Sequence, residues 1–577
     1  MNKFLATISF WAWCLGIMAI PARRTPFTVW QSDSTALTVT LVGDESFHFM
    51  ATLDGTPVVE DGERFYRLAP ELKEAMASKW KERRARRNAH RLKKAERLAK
   101  ERKEFGFPTQ YVGEKRGIVI LINYLDKAMK STSTQEAWND QFNQKGYNKN
   151  EHIGSVRDYF YDQSYGKFDI EFDVVGPVTV SKECKYYGEN DEEDNDKHPC
   201  ELVIEACQLA DAEGVNFADY DWDGDGMVDM VFCIYAGYGE NVGAASYTIW
   251  PHEWVLSGGE ESGDGTGALT LDGVTIDTYA VSCELSGIKG SRMDGIGTAC
   301  HEFSHCLGLP DMYDISYSGG FGMGCWDLLD DGAFNGPNSN GTVPAGFTAY
   351  ERWFTGWLNF KELNEACTVT DMPTLQESPV AYLIRNDNYE DEYFILENRQ
   401  NTGWFQYTGS SKTIHGMLAY HVDYNATAWR ENEVNAIKDH QRMSIIPAGK
   451  DYGTFNSTYQ QYTPSDSQLA TQVFPGTKNV TDLTNTSHED WNGRLFHKNT
   501  DGTNYMNKPI TNITETDGLI SFDFMGGGAN AIHSVATTTE AEATYFTISG
   551  TKVEAPTQQG IYLKKENGTT RKVYIYK

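Results

Sequence analysis

The stretch Thr298-Ala299-Cys300-His301-Glu302-Phe303-Ser304-His305-Cys306-Leu307-Gly308-Leu309-Pro310-Asp311 decides how the rest of the chain is read. On a helix, His301 and His305 lie one turn apart on the same face, so both imidazoles can reach one zinc ion. Glu302 projects beside them, where a carboxylate can take a proton from a zinc-bound water. Gly308 suits a left-handed helix terminus and Pro310 cannot continue the helix, so the turn folds Asp311 back as a third ligand. Three protein ligands with the fourth position open make a catalytic zinc arrangement. Glu351, on a later helix expected over Phe347–Leu358, is the rival third ligand.

The remaining composition places this motif outside the cell. The chain has 577 residues, enough for several domains. Lys3, the apolar run Phe4–Ile20 and Pro21-Ala22 before Arg23-Arg24 read as a secretory signal over 1–22, with Ala22 as the cleavage residue. No later stretch has the length of a transmembrane helix. The net charge of −30 hides an asymmetry: residues 1–107 hold 19 Lys and Arg against 13 Asp and Glu, which leaves −36 on residues 108–577. So acidic a body repels nucleic acid and anionic membranes, and suits a protein that holds calcium. Nine cysteines remain after Cys14, an odd number, and Cys184 and Cys200, which bracket an acidic loop, are the expected disulfide. Cys300 and Cys306 are expected as buried small residues.

Working outward, residues 26–68 alternate and turn as a small unit of β-hairpins. Residues 71–104 read as a charged helix dense in Arg and Lys. Together, 23–105 form a pro-segment, removed by an activating protease that cuts after basic residues. No cysteine lies between Arg23 and Cys184, so a group blocking the zinc is a carboxylate or histidine, with Asp44, His48 and Asp54 as candidates.

The body over 106–360 reads as α/β: a buried strand over Gly117–Tyr124, a helix over Ser155–Tyr165 and a strand over Phe168–Val180. Asp221, Asp223, Asp225 and Asp229, with Gly226 at the sixth place, resemble the first half of a calcium loop, although Phe232 stands where a twelfth-position Glu is usual. His252 reads as a structural histidine. Gly319–Leu329 is a glycine-rich turn that would pass beneath the metal. Residues 361–527 carry strand patterns and read as a β-sandwich, in which Glu397, His421 and Asp423 are expected to support the fold. Residues 528–577 are a small β tail and a possible sorting signal. The fold class is therefore α/β (α+β), a zincin-type catalytic domain between a pro-segment and an all-β sandwich.

These motifs resemble the immune inhibitor A family of secreted bacterial zinc metallopeptidases, grouped with the metzincins. The likeness runs from Gly43–His48 and Thr52–Gly55 through Gly154–Phe160, Asp221–Asp229, His301–Asp311, Trp326-Asp327-Leu328 and Arg352–Trp357 to Leu396–Arg399 and His421–Tyr424. It implies an endopeptidase made as a zymogen, acting on extracellular proteins or peptides, secreted or on the surface of a bacterium. Zinc ligands would be His301, His305 and Asp311, with Glu302 as base. Two positions depart from the family: Leu329 stands where the Met-turn has Met, a near volume match, and Asp331 stands where a Tyr often follows. These two departures favour an alternative, a surface adhesin or binding module retaining a weakly active or inactive protease domain.

Overall fold

The computed structural model describes residues 20–23, 26–44, 47–61, 65–72, 111–191, 195–387, 389–456, 461–484 and 508–528, and five short strands between 531 and 575. From residue 73 on, the charged helix expected over 71–104 lies outside the described residues, as does the expected signal before Ile20.

The N-terminal hairpin unit is an antiparallel meander of five strands in chain order: β1 (Phe27–Trp30), β2 (Ala36–Asp44), β3 (Phe47–Thr52), β4 (Pro57–Glu60) and β5 (Tyr66–Leu68). The α/β body is built on β6 (Gly113–Asn123), β7 (Phe168–Thr179), β8 (Val231–Tyr238), β9 (His252–Val255) and β12 (Thr278–Leu285), with the hairpin β10 (Leu269–Leu271) and β11 (Val274–Ile276) between β9 and β12. The sheet order is β7-β6-β8-β12-β9. β6, β7, β8 and β12 are parallel, and the edge strand β9 runs antiparallel to β12. Ile118 to Ile122 of β6 are fully buried, as a strand covered on both faces must be. One sheet face packs on the helix Pro199–Ala212, the other on Gln135–Asn143, Val156–Gln163 and Ile296–Cys306. Ser155 starts the second of these helices through a reciprocal capping box with Asp158.

The downstream strands form two sheets. The first has the order β13-β15-β16-β17-β18, from β13 (Lys361–Glu362), β15 (Tyr382–Asn386), β16 (Tyr389–Arg399), β17 (Gly416–Asp423) and β18 (Met443–Ile445). In the second, β14 (Cys367–Met372) lies between the strands Leu519–Phe524 and Ala531–His533, and Leu519–Phe524 pairs on its other side with Ile510–Thr516. Strand periodicity gives the first sheet two apolar faces. Tyr393, Ile395, Leu418, Tyr420 and Val422 join the core that holds the His301 helix, while Phe394, Leu396, Met417 and Ala419 join the core shared with the second sheet. Hydrophobic packing therefore runs unbroken across the boundary drawn at residue 360.

One expectation is corrected. Cys184 and Cys200 are both free thiols, as are all nine cysteines among the described residues. Cys184 Sγ lies 3.6 Å from Lys127 Nζ and Cys200 Sγ 3.5 Å from Tyr279 Oη, because each starts a different helix and turns inward to its own neighbours. Glu397, His421 and Asp423 take up fold support: Glu397 accepts from Ala349 N–H and Tyr420 Oη, His421 pairs with Glu392, and Asp423 with His440 and Arg442.

Candidate metal centre

The helix Ile296–Cys306 is buried along its whole length. Its entry depends on Gly297, where a Cβ would stand 1.9 Å from the Ala333 carbonyl oxygen. Its exit depends on Gly308, which adopts φ +95°, a conformation that costs other residues free energy. The chain then turns back, and Met312 N–H donates to Leu329 O at 2.7 Å, so the turn after Trp326 runs beside the loop holding Asp311.

Those two backbone segments orient the imidazoles. His301 Nδ1 lies 2.8 Å from Leu328 O and His305 Nδ1 2.8 Å from Leu309 O. A carbonyl only accepts, so each Nδ1 carries a proton and each ring turns its Nε2 inward. The two Nε2 atoms are 3.0 Å apart, and Asp311 Oδ1 lies 3.3 Å and 3.2 Å from them. Two imidazole lone pairs and a carboxylate oxygen thus face one another, fully buried, with no hydrogen-bond donor for that oxygen. Such an arrangement is repulsive unless a cation stands between them. Tetrahedral zinc with bonds of about 2.0 Å needs donor atoms about 3.3 Å apart, so the donor set fits zinc in both spacing and chemistry. Burial alone would raise the Asp311 carboxyl, but His305 and His301 outweigh it and hold it below the ordinary carboxylate range. Burial lowers His305, while Asp311 pulls it the other way.

The rival acid lies elsewhere. Glu351 belongs to the capping box of the short helix Ala349–Phe354, accepting from Thr348 N–H at 2.5 Å, and its other neighbour is Asp327. Leu329 is a fully buried residue of the core that holds the His301 helix. Asp331 is half-buried on the wall of a cleft of about 460 Å³ that it shares with Phe321, Tyr407 and Tyr462.

Glu302 is fully buried, and its Oε1 accepts from the backbone N–H of Ile20 at 2.9 Å. Ile20 O accepts from Trp250 Nε1, Ala22 N–H donates to Gly43 O, and Arg23 N–H donates to Asn241 O. Main chain thus occupies Glu302 Oε1, and of the expected blocking groups Asp44 lies buried at the end of β2. His48 instead pairs with Glu240 at 2.9 Å and packs on Trp250, and Asp54 sits in an exposed turn with Thr52. His252 is buried between Trp250 O and Tyr279 Oη, and burial lowers it to about 4, as befits a structural histidine.

The acidic loop brings carboxylate oxygens of Asp221, Asp223 and Asp225 within 4.8 Å of one another. Asp221 accepts from the N–H groups of Gly224, Asp225 and Gly226, and Asp229 accepts from Trp222 N–H.

Sequence reading missed two contributors to the site. Ile20 reads as the end of an apolar signal run, and Asn432, which holds Asp311, lies in a polar stretch with no motif.

Comparison with known proteins agrees with the motif reading. Residues 114–358 match the family described as immune inhibitor A peptidase M6, catalytic domain. The chain is 29% identical over 250 residues to the pre-pro-metalloprotease PrtV of Vibrio cholerae serotype O1 (strain M66-2), covering 39% of this chain and 27% of that protein. It is 26% identical over 290 residues to immune inhibitor A of Bacillus thuringiensis subsp. alesti, covering 43% of this chain and 41% of that protein. The match thus spans less than half the length of either relative. Among the described residues, no helix is long and apolar enough to cross a membrane.

Proposed function

From a chain related through residues 114–358 to the immune inhibitor A metallopeptidases, we propose a secreted, zinc-dependent endopeptidase made as a zymogen and acting on extracellular proteins or peptides. The observation that carries this reading is the convergence of His301 Nε2, His305 Nε2 and Asp311 Oδ1 in one buried site next to Glu302.

His301, His305 and Asp311 would hold the zinc, which when bound supplies Lewis acidity that acidifies water and polarises a carbonyl. Leu328 O and Leu309 O keep the two rings in the tautomer that ligation needs. Glu302 accepts the proton of the attacking water and returns it to the leaving amine nitrogen. Glu302→Gln keeps the fold and the metal site but lowers casein cleavage by about 10²–10⁴-fold. Equal cleavage by wild type and variant, or cleavage that a chelator leaves untouched, would return the adhesin reading.

Latency follows from the same carboxylate. While Ile20 N–H occupies Glu302 Oε1, that oxygen cannot serve a water, and the meander anchors the plug through Gly43 O, which also accepts from Tyr317 Oη at 2.6 Å. A cut at Ala22 would remove the residue that caps Glu302, so this form of latency requires export cleavage upstream of Ile20. Proteolysis within the basic stretch, after residues such as Arg84 or Arg102, frees the plug to leave. N-terminal sequencing of the latent exported precursor should find Ile20 retained, and trypsin-like trimming should switch casein cleavage on. A precursor beginning at Arg23 that is still latent would defeat this account of latency.

The Asp221–Asp229 loop is read as a structural calcium site. Its support is the cluster of three carboxylates around a tight turn at Gly224 and Gly226, both at positive φ.

A further inference from the structure

The zinc reading leaves open what holds Asp311 in place, because a carboxylate on a loop can rotate away from two imidazoles. Both ends of Asp311 are held by one side chain. Asp311 N–H donates to Asn432 Oδ1 at 2.7 Å, and Asn432 Nδ2 donates to Asp311 Oδ2 at 2.6 Å. The amide thus closes a ring on the residue, taking its backbone and one carboxylate oxygen and leaving Oδ1 turned toward His301 and His305. Asp311 and Asn432 are each 1% exposed, so water does not compete for these bonds.

The clamp comes from far along the chain. Asn432 lies 121 residues after Asp311, just beyond the short helix Ala426–Arg430. Its backbone is left-handed, φ +54°, a conformation that Asn tolerates better than most residues. Three residues on, Asn435 fastens the same segment on both sides: Nδ2 donates to Met312 O at 2.7 Å and to Met443 O at 2.6 Å, and Oδ1 accepts from Met443 N–H. The segment 432–435 therefore joins the Asp311 loop to β18, and the residues matching the catalytic-domain family do not contain it.

We propose that Asn432 is a positioning residue for the metal: it orients Asp311 so that one oxygen faces the histidines, and the downstream β region thereby completes the site. Groups that hold a ligand from behind typically contribute 10–100-fold to metal affinity, by about the amount lost on their removal. The inference rests on the zinc reading above.

The test measures zinc affinity of the full chain by competition with a metallochromic chelator, alongside thermal melting of the zinc-free protein. Asn432→Gly suits the left-handed backbone and removes both bonds. Asn432→Asp is isosteric, keeps the acceptor for Asp311 N–H and replaces the donor by a like charge. Expected is one zinc per wild-type chain, affinity about 10–100-fold weaker in both variants, and zinc-free melting within a few degrees of wild type. Affinity within about twofold of wild type in both would overturn the proposal. So would failure of both variants to fold, which would make Asn432 purely architectural. Wild type without stoichiometric zinc would instead defeat the reading of the site itself.

Discussion

Two buried carboxylates downstream of the same helix, Asp311 and Glu351, have opposite fates. Asp311 faces two imidazoles and an amide, and its negative charge is favoured. Glu351 faces a helix N-terminus and a second carboxylate, Asp327. Burial first, then that like charge, push its carboxyl well above the ordinary range. Asp327 is itself raised to about 6, chiefly by burial, with Arg399 and Glu397 pulling in opposite directions. Both acids are fully buried. What differs is the sign of the groups packed against them, and that sign decides between holding a cation and holding a proton.

The sharpest way to break this comparison is to remove each acid and count bound metal. Asp311→Ala should lose stoichiometric zinc, while Glu351→Ala should keep it and lose only helix-capping and packing stability. Metal analysis giving the reverse pattern would make Glu351 the ligand. A smaller effect sharpens the proton side. A carboxyl raised in the folded state favours folding where it is protonated, and that contribution is lost as pH rises from the ordinary range, about 4, through about 6. Glu351→Gln removes the like charge and keeps an acceptor for the cap. Its urea stability should match wild type near pH 4 and exceed it by on the order of 1–3 kcal/mol at pH 7.5. A constant difference across that range would show that the two acids do not share a proton. The smallest effect concerns the largely exposed carboxylates of the Asp221 loop. Calcium should raise the melting temperature of the wild type by roughly 2–4 °C, and Asp223→Ala with Asp225→Ala should abolish that rise.

Much of the architecture was legible because it is local. The alternation in residues 26–68, the continuous apolar run of Gly117–Tyr124 and the helical stretch Ser155–Tyr165 each commit a few neighbours to one element. The helix expected over Phe347–Leu358 is shorter, Ala349–Phe354, because Thr348 caps its start and Gly356, at positive φ, follows its end. The strand patterns after residue 361 were legible too. That one of their sheets serves two cores was not, since a strand buried on both faces looks the same whichever partners cover it.

At the site, the sequence by itself determined the helical pair His301/His305 and the neighbouring Glu302. A four-residue spacing on a helix fixes which side chains share a face, and the glycine after it fixes where the helix stops. Only the tertiary structure decided that Asp311 and not Glu351 meets the histidines, that Asn432 grips Asp311 from 121 residues away, and that Ile20 reaches Glu302 across 282. Contacts at those separations depend on how finished elements pack, and nothing in the local period of a chain encodes which distant backbone will fill a buried cleft.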